Sequence, residues 1–174
     1  MYDDHKIFDK IVSWSIVSDE QEPSENTSEV KFGAGMTDAY NGNLFSHKSS
    51  NNSWALNFTG LYYNYDAVNA NQTKSSAYLD TGNNFAMQVD DASWDTLSAT
   101  FEAAGFNCSC GCNVTSCNCG PCVSQSNCSD LYSGMNYVKV VIDDSAYWIP
   151  PAGYTYRKQS LTNDTCMIAI EKGA

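Results

Sequence analysis

Apolar and polar positions alternate in short bursts along most of the chain, the period-two signature of half-buried strands. KIFDKIVSWSIV near the start predicts a turn or two of helix leading into a strand, and QEPSENTSE predicts a hairpin turn. EVKFGAGMTD predicts a strand that ends in a glycine turn, and AYNGNLFS repeats that pattern with the turn dipeptide Asn41-Gly42. SWALNFTGLYYNY is a longer aromatic strand, and AYLDTGNNFAMQV holds two short apolar runs around a polar bend at 80–84. NYVKVVID, AYWIPPAGYTY and CMIAIE are strand-like as well. One segment has the helical period instead: Trp94, Leu97 and Phe101 fall at i, i+3 and i+7, which predicts a helix over about 92–104. Ser93 or Asp91 would cap its start and Gly105 would end it.

These elements predict an all-β chain with one clear helix. At 174 residues, with no repeat or linker, a single domain over 1–174 is the economical reading. With 43% hydrophobic and 13% aromatic residues it can bury a real core, which excludes global disorder. No apolar run approaches the ~18 residues of a membrane span. The first ten residues, MYDDHKIFDK, have acids where a signal peptide has a basic end, and no apolar stretch follows; if the protein is secreted, its address lies elsewhere or this chain is not the whole translation product. Twenty acidic against nine basic residues give a net charge of -11, the wrong sign for displacing counterions from phosphates, so neither nucleic acid nor anionic membrane is expected as a partner. The two histidines, His5 and His47, have no metal-site spacing and are expected at the surface.

Eight cysteines are present, seven of them between Cys108 and Cys128 and the eighth at Cys166. Eight Asn-x-Ser/Thr acceptor tripeptides begin at Asn26, Asn51, Asn57, Asn71, Asn107, Asn113, Asn127 and Asn163, where 17 asparagines would give about three by chance. Both features point to an oxidising, secretory or lumenal setting and a glycoprotein. The cysteine-rich insert, 107–128, has two readings. Disulfides are favoured by the acceptor tripeptides; a zinc-thiolate cluster is the competitor, since C-x-C and C-x-x-C supply soft ligands.

Among motifs, Gly33-Ala34-Gly35 followed by Asp38 lacks the third glycine and the helix of a phosphate cradle, so a glycine-rich hairpin is expected there. No nucleophile elbow and no cofactor motif occurs. Asp80-Thr81-Gly82, preceded by Ala77-Tyr78-Leu79, is more informative for its place among other motifs than by itself. Phe32-Gly33-Ala34-Gly35 and Asp38 precede it, then Tyr40-Asn41-Gly42-Asn43-Leu44 and Trp54; the helical segment from Ser93 to Gly105 follows, then Tyr147, Ile149, Pro150 and Tyr154. In this order the chain resembles the C-terminal lobe of a pepsin-like aspartic protease, over its whole length and truncated before that lobe's final hydrophobic-hydrophobic-glycine segment.

The resemblance implies a β-barrel lobe, a disulfide between Cys128 and Cys166, and a role for Asp80 as one of two catalytic aspartates. If that pair forms, Cys108, Cys110, Cys112, Cys117, Cys119 and Cys122 remain for three further bridges, expected between the two triplets because adjacent C-x-C residues rarely bond each other. Two carboxyls at close range cannot both ionise, so they share a proton and favour acid conditions. The ionised member would activate a water, and the protonated member would bind the peptide carbonyl. Thr81 would bond across to the other lobe, and Gly82 would permit close backbone approach. The resemblance implies no cofactor and no metal. Its implied partners are an N-terminal lobe on the same or a separate chain, other protein subunits and a peptide substrate; its implied location is secreted, lysosomal, vacuolar or otherwise lumenal. Asn83 stands where the family has Ser or Thr, and the sequence covers about half of the family's length. The chain is therefore expected to be inactive alone. Three functions follow: a segment of an aspartic endopeptidase, a protease-derived structural or binding module without catalysis, or a metal-binding cysteine protein.

Overall fold

The structure, a computed structural model, describes residues 11–15, 29–33, 46–49, 54–69, 75–80, 87–112, 117–119, 121–158 and 165–173. The chain forms two compact units, residues 1–46 and 47–174. In the first, β1 (Val12–Ser15) pairs antiparallel with β2 (Glu29–Phe32), Val12 opposite Phe32. Gly33 follows β2 at the open end of this pair with φ 83, a left-handed value that glycine adopts without steric cost, and its N–H donates to the Ile11 carbonyl. Apolar Ile11, Val30 and Phe32 are exposed in this pair.

The second unit is built on β3 (Ala55–Tyr63), whose aromatic Phe58, Tyr62 and Tyr63 with Thr59 suit a pleated, half-buried surface. Its end turns through Asn64 and Tyr65 into β4 (Asp66–Ala67), with Asn64 at φ 59, a conformation that asparagine tolerates in two-residue hairpins. β5 (Ser75–Tyr78) pairs with the first half of β3, and β6 (Met87–Val89) follows. The helix α1 spans Asp91–Ala103, within a residue of the sequence expectation.

Its N-cap is Asp90, not Ser93 or Asp91. The Asp90 carboxylate accepts from the Ser93 N–H and hydroxyl, both at 2.9 Å. Ser93 is the third helical residue and donates to the cap, a role that periodicity does not distinguish from capping itself. Burial alone would push the Asp90 carboxyl up; the hydrogen bonds from Ser93 and the Ala92 backbone hold it below the usual range. Gly105, at φ 95, ends the helix.

In the cysteine insert, β7 (Cys110–Cys112) pairs with β8 (Cys117–Cys119), placing Cys110 opposite Cys119 and Cys112 opposite Cys117 along the backbone. β9 (Val123–Ser124) and the short helix α2 (Cys128–Leu131) follow. β10 (Val138–Ile142) and β11 (Ser145–Ile149) form a hairpin through Asp143 and Asp144. The chain closes with β12 (Thr155–Lys158), β13 (Thr165–Ile168) and β14 (Ile170–Lys172).

A five-stranded sheet runs β11-β10-β3-β4, with β5 also on β3; a second runs β12-β13-β9. β14 and β6 form a parallel pair beside α1, unlike the antiparallel ladders elsewhere. The architecture is mainly β, as expected, with open sheets and no closed barrel among the described residues. The core lies where α1 meets these sheets: Trp94, Leu97 and Phe101 are buried together with Leu61, Val138 and Ile168. Disulfides Cys108–Cys122 and Cys128–Cys166 are buried in the same cluster, and no described cysteine is free.

Phe101 has no exposed surface and packs its ring against Tyr63, Phe106 and Tyr154, with centroids 6.0 to 6.5 Å apart. Phe101→Ala is expected to cost about 3–5 kcal/mol of unfolding free energy in denaturant titration. A loss below about 1 kcal/mol would place the core elsewhere.

Candidate active site

The β3–β5 ladder positions Asp80. Ala55 lies opposite Tyr78 and Leu56 opposite Ala77, and the ladder is continued by a hydrogen bond from the Leu79 N–H to the Trp54 carbonyl at 3.1 Å. Asp80 follows directly, exposed, one residue beyond that bond. Ala55 is buried, so the base of this ladder is set into the core. Three large apolar side chains near Asp80 in the ladder are exposed: Trp54 at 58%, Tyr78 at 70% and Leu79 at 60%. Surface of this kind is suited to further protein. Thr81, Gly82 and Asn83 lie outside the described residues, as does the segment from Ala34 to Phe45 that includes Asp38 and Tyr40 to Leu44.

The later motif residues fall in the second unit. Tyr147 and Ile149 are on β11, Pro150 precedes a short 3-10 turn at Pro151–Gly153, and Tyr154 is buried. The Tyr154 hydroxyl donates to the Asn136 carbonyl at 2.6 Å, and the Asn136 N–H donates to the Tyr63 hydroxyl. Burial, with Tyr63 and Tyr132 nearby, pushes the Tyr154 phenol far above its ordinary value. It therefore acts as a neutral clamp between β3 and the chain leaving β11.

A polar cluster that the sequence reading missed lies on the same sheet, around Asn57 and Thr59 of β3. His47 is not a surface residue: its side chain is 13% exposed and bridges Asp143 and Tyr147. Nδ1 lies 2.9 Å from Asp143 Oδ2, and Nε2 contacts the Tyr147 hydroxyl. Asn57 Nδ2 donates to Asp143 Oδ1 at 3.0 Å, and the Thr59 hydroxyl donates to the Asp143 carbonyl. Asp143 adopts φ 51 in the two-residue turn, which aspartate tolerates. A depression of about 510 Å³ opens beside the cluster, lined by Asn57, Thr59, Tyr62, Val141, Asp143 and Asp144. Asp80 is not part of it. Among the described residues no group of three or more histidine, cysteine, aspartate or glutamate side chains is arranged to hold a metal ion.

A model of the eukaryotic aspartyl protease family matches residues 1–174, the full chain. The chain belongs to that family. An aspartic proteinase from Irpex lacteus has a similar structure, with a TM-score of 0.62 at 13% identity, over 92% of this chain and 44% of that one. At that identity the likeness concerns the fold. The chain thus spans less than half of that proteinase. No curated protein matches the chain. Asp80, the first residue of the D-T-G tripeptide, is exposed two residues beyond β5, whose own side chains are exposed or half-buried.

The His47 cluster gives the site's sheet a dependence on pH. The hydrogen bond from His47, and then that from Asn57, hold the Asp143 carboxyl below its ordinary value of 3.8. A carboxyl with a depressed folded-state value binds its proton more readily when unfolded. The stability it contributes is therefore present above the unfolded value and is lost as pH falls through the folded one. His47→Ala is expected to move the Asp143 titration upward towards 3.8, followed by carboxyl-carbon NMR. An unmoved midpoint would show that His47 does not hold this carboxylate.

Proposed function

We propose that this chain is a segment of a pepsin-like aspartic endopeptidase and supplies Asp80 as one of two catalytic aspartates. The observation that carries the reading is the exposed Asp80 at the end of β5, leading the D-T-G tripeptide in a chain of the aspartyl protease family. A matching N-terminal lobe brings the second carboxyl. The exposed apolar residues Trp54, Tyr78 and Leu79 give such a lobe a surface to cover.

In the completed site one carboxylate takes a proton from a water, whose oxygen attacks the peptide carbonyl. The other carboxyl, protonated, hydrogen-bonds the carbonyl oxygen and then serves the leaving amine. One proton shared between two carboxyls suits mildly acidic conditions. Thr81 steadies the loop through the facing lobe, and Gly82 allows the two loops to approach. The fit with a secreted or lumenal protein comes from the family and the disulfides. We place the chain in a secretory, lysosomal or vacuolar setting as a glycoprotein.

One feature favours a second reading, a binding or structural module derived from a protease: Asn83 replaces the hydroxyl residue that supports the catalytic carboxylate in the family. The two readings separate on one substitution. In the intact polypeptide containing this chain, Asp80→Asn is expected to lower acid-pH peptide cleavage by about 10²–10⁴-fold in kcat. Equal activity in wild type and variant, or none in either, would favour the module.

A further inference from the structure

The Asn-x-Ser/Thr tripeptide occurs three times among the described residues, at Asn57, Asn107 and Asn127, in two different environments. We propose that the folded protein carries N-linked glycans at Asn107 and Asn127 and none at Asn57. This rests on the lumenal reading of the chain. The step joins the asparagine Nδ2 to the anomeric carbon of an oligosaccharide carried on a lipid diphosphate. The C–N bond forms, the C–O bond to the diphosphate breaks, and one amide proton is lost.

Acceptor asparagines belong in surface loops. Asn57 is instead inside β3, opposite Ser76 of β5, with its backbone carbonyl accepting from the Asp143 N–H at 2.9 Å. Its Nδ2, the atom a sugar would take, donates to Asp143 Oδ1 at 3.0 Å in the cluster that also holds His47. A glycan there would place a sugar ring against that carboxylate, within the cluster that ties β3 to the β10–β11 turn.

Asn107 and Asn127 differ in being exposed and outside the sheets' named strands. Asn107 is exposed, outside the named strands, in a single bridge to Val123. It uses its side-chain oxygen, not its nitrogen, to accept from the Ser109 N–H at 3.2 Å. Asn127 is exposed at the residue before α2, and its Nδ2 makes a 3.4 Å contact with the exposed Asp130. In both tripeptides the middle residue is a buried cysteine, Cys108 bonded to Cys122 and Cys128 bonded to Cys166. Each attachment point is thus tied to the core one residue away, so a sugar at either site can project to solvent without disturbing the packing below. The two positions also bracket the cysteine insert, one at each end.

The test uses the intact polypeptide secreted from eukaryotic cells. Glycans are removed with a peptide N-glycosidase in heavy-oxygen water, and the resulting labelled aspartates are mapped by mass spectrometry. The expected result is label at Asn107 and Asn127 and none at Asn57 in the folded fraction, with Asn107→Gln and Asn127→Gln each losing one glycan's mass and Asn57→Gln losing none. Label at Asn57, or its absence at Asn107 and Asn127 in protein whose disulfides have formed, overturns the proposal. Free thiols throughout with no label at any tripeptide would overturn the lumenal reading itself, and the proposal with it.

Discussion

The pairing of β3 on both sides is the constraint on which the rest of this chain depends. Its first half bonds β5 and its second half bonds β10, with Phe58 partnered on each side. A strand fixed on both edges cannot slip by a residue without turning its buried face outward. Ala55 and Leu61 are buried side chains on this strand that resist such a slip. The register then settles where β5 ends, and Asp80 follows that end by two residues. The backbone position of Asp80 thus follows from the register of β5 on β3.

The other ties of the second unit reinforce the same frame. α1 buries Trp94, Leu97 and Phe101, and the parallel β6–β14 pair runs beside it. Cys128–Cys166 joins α2 to β13, and Cys108–Cys122 closes the base of the insert near β9. The hairpin β10–β11 is fastened at its turn by Asp143, which gathers Asn57, Thr59 and His47 from earlier parts of the chain. Apolar burial supplies the bulk of the stability; the polar cluster specifies which turn meets which strand.

Local signals were legible in the sequence where short-range physics decides. Trp94, Leu97 and Phe101 gave the helix at once, because a 3.6-residue period leaves few alternatives. The strands at 55–63, 138–142 and 145–149 were legible as apolar, aromatic-rich runs, though their pairing was not. Long-range pairing was not legible. His47 lies 96 residues from Asp143 and 100 from Tyr147, and nothing adjacent to it in the chain signals the cluster. The parallel union of β6 with β14 joins segments on either side of the helix and the insert, and three-residue strands carry too little pattern to reveal a partner. The candidate site divides in the same way. Asp80 was found through a tripeptide whose meaning came from the order of other motifs, whereas its exposed apolar neighbours Trp54, Tyr78 and Leu79 became informative only when the ladder brought them together.

The central claim is that this frame holds Asp80 out to meet a second carboxyl. A crystal structure of the intact polypeptide at acid pH tests it most directly, through the distance from the Asp80 carboxyl oxygens to the nearest carboxyl of the N-terminal lobe. The account predicts a second aspartate within hydrogen-bonding distance, about 3 Å. An Asp80 facing solvent in that structure, with no carboxyl across from it, would contradict the account.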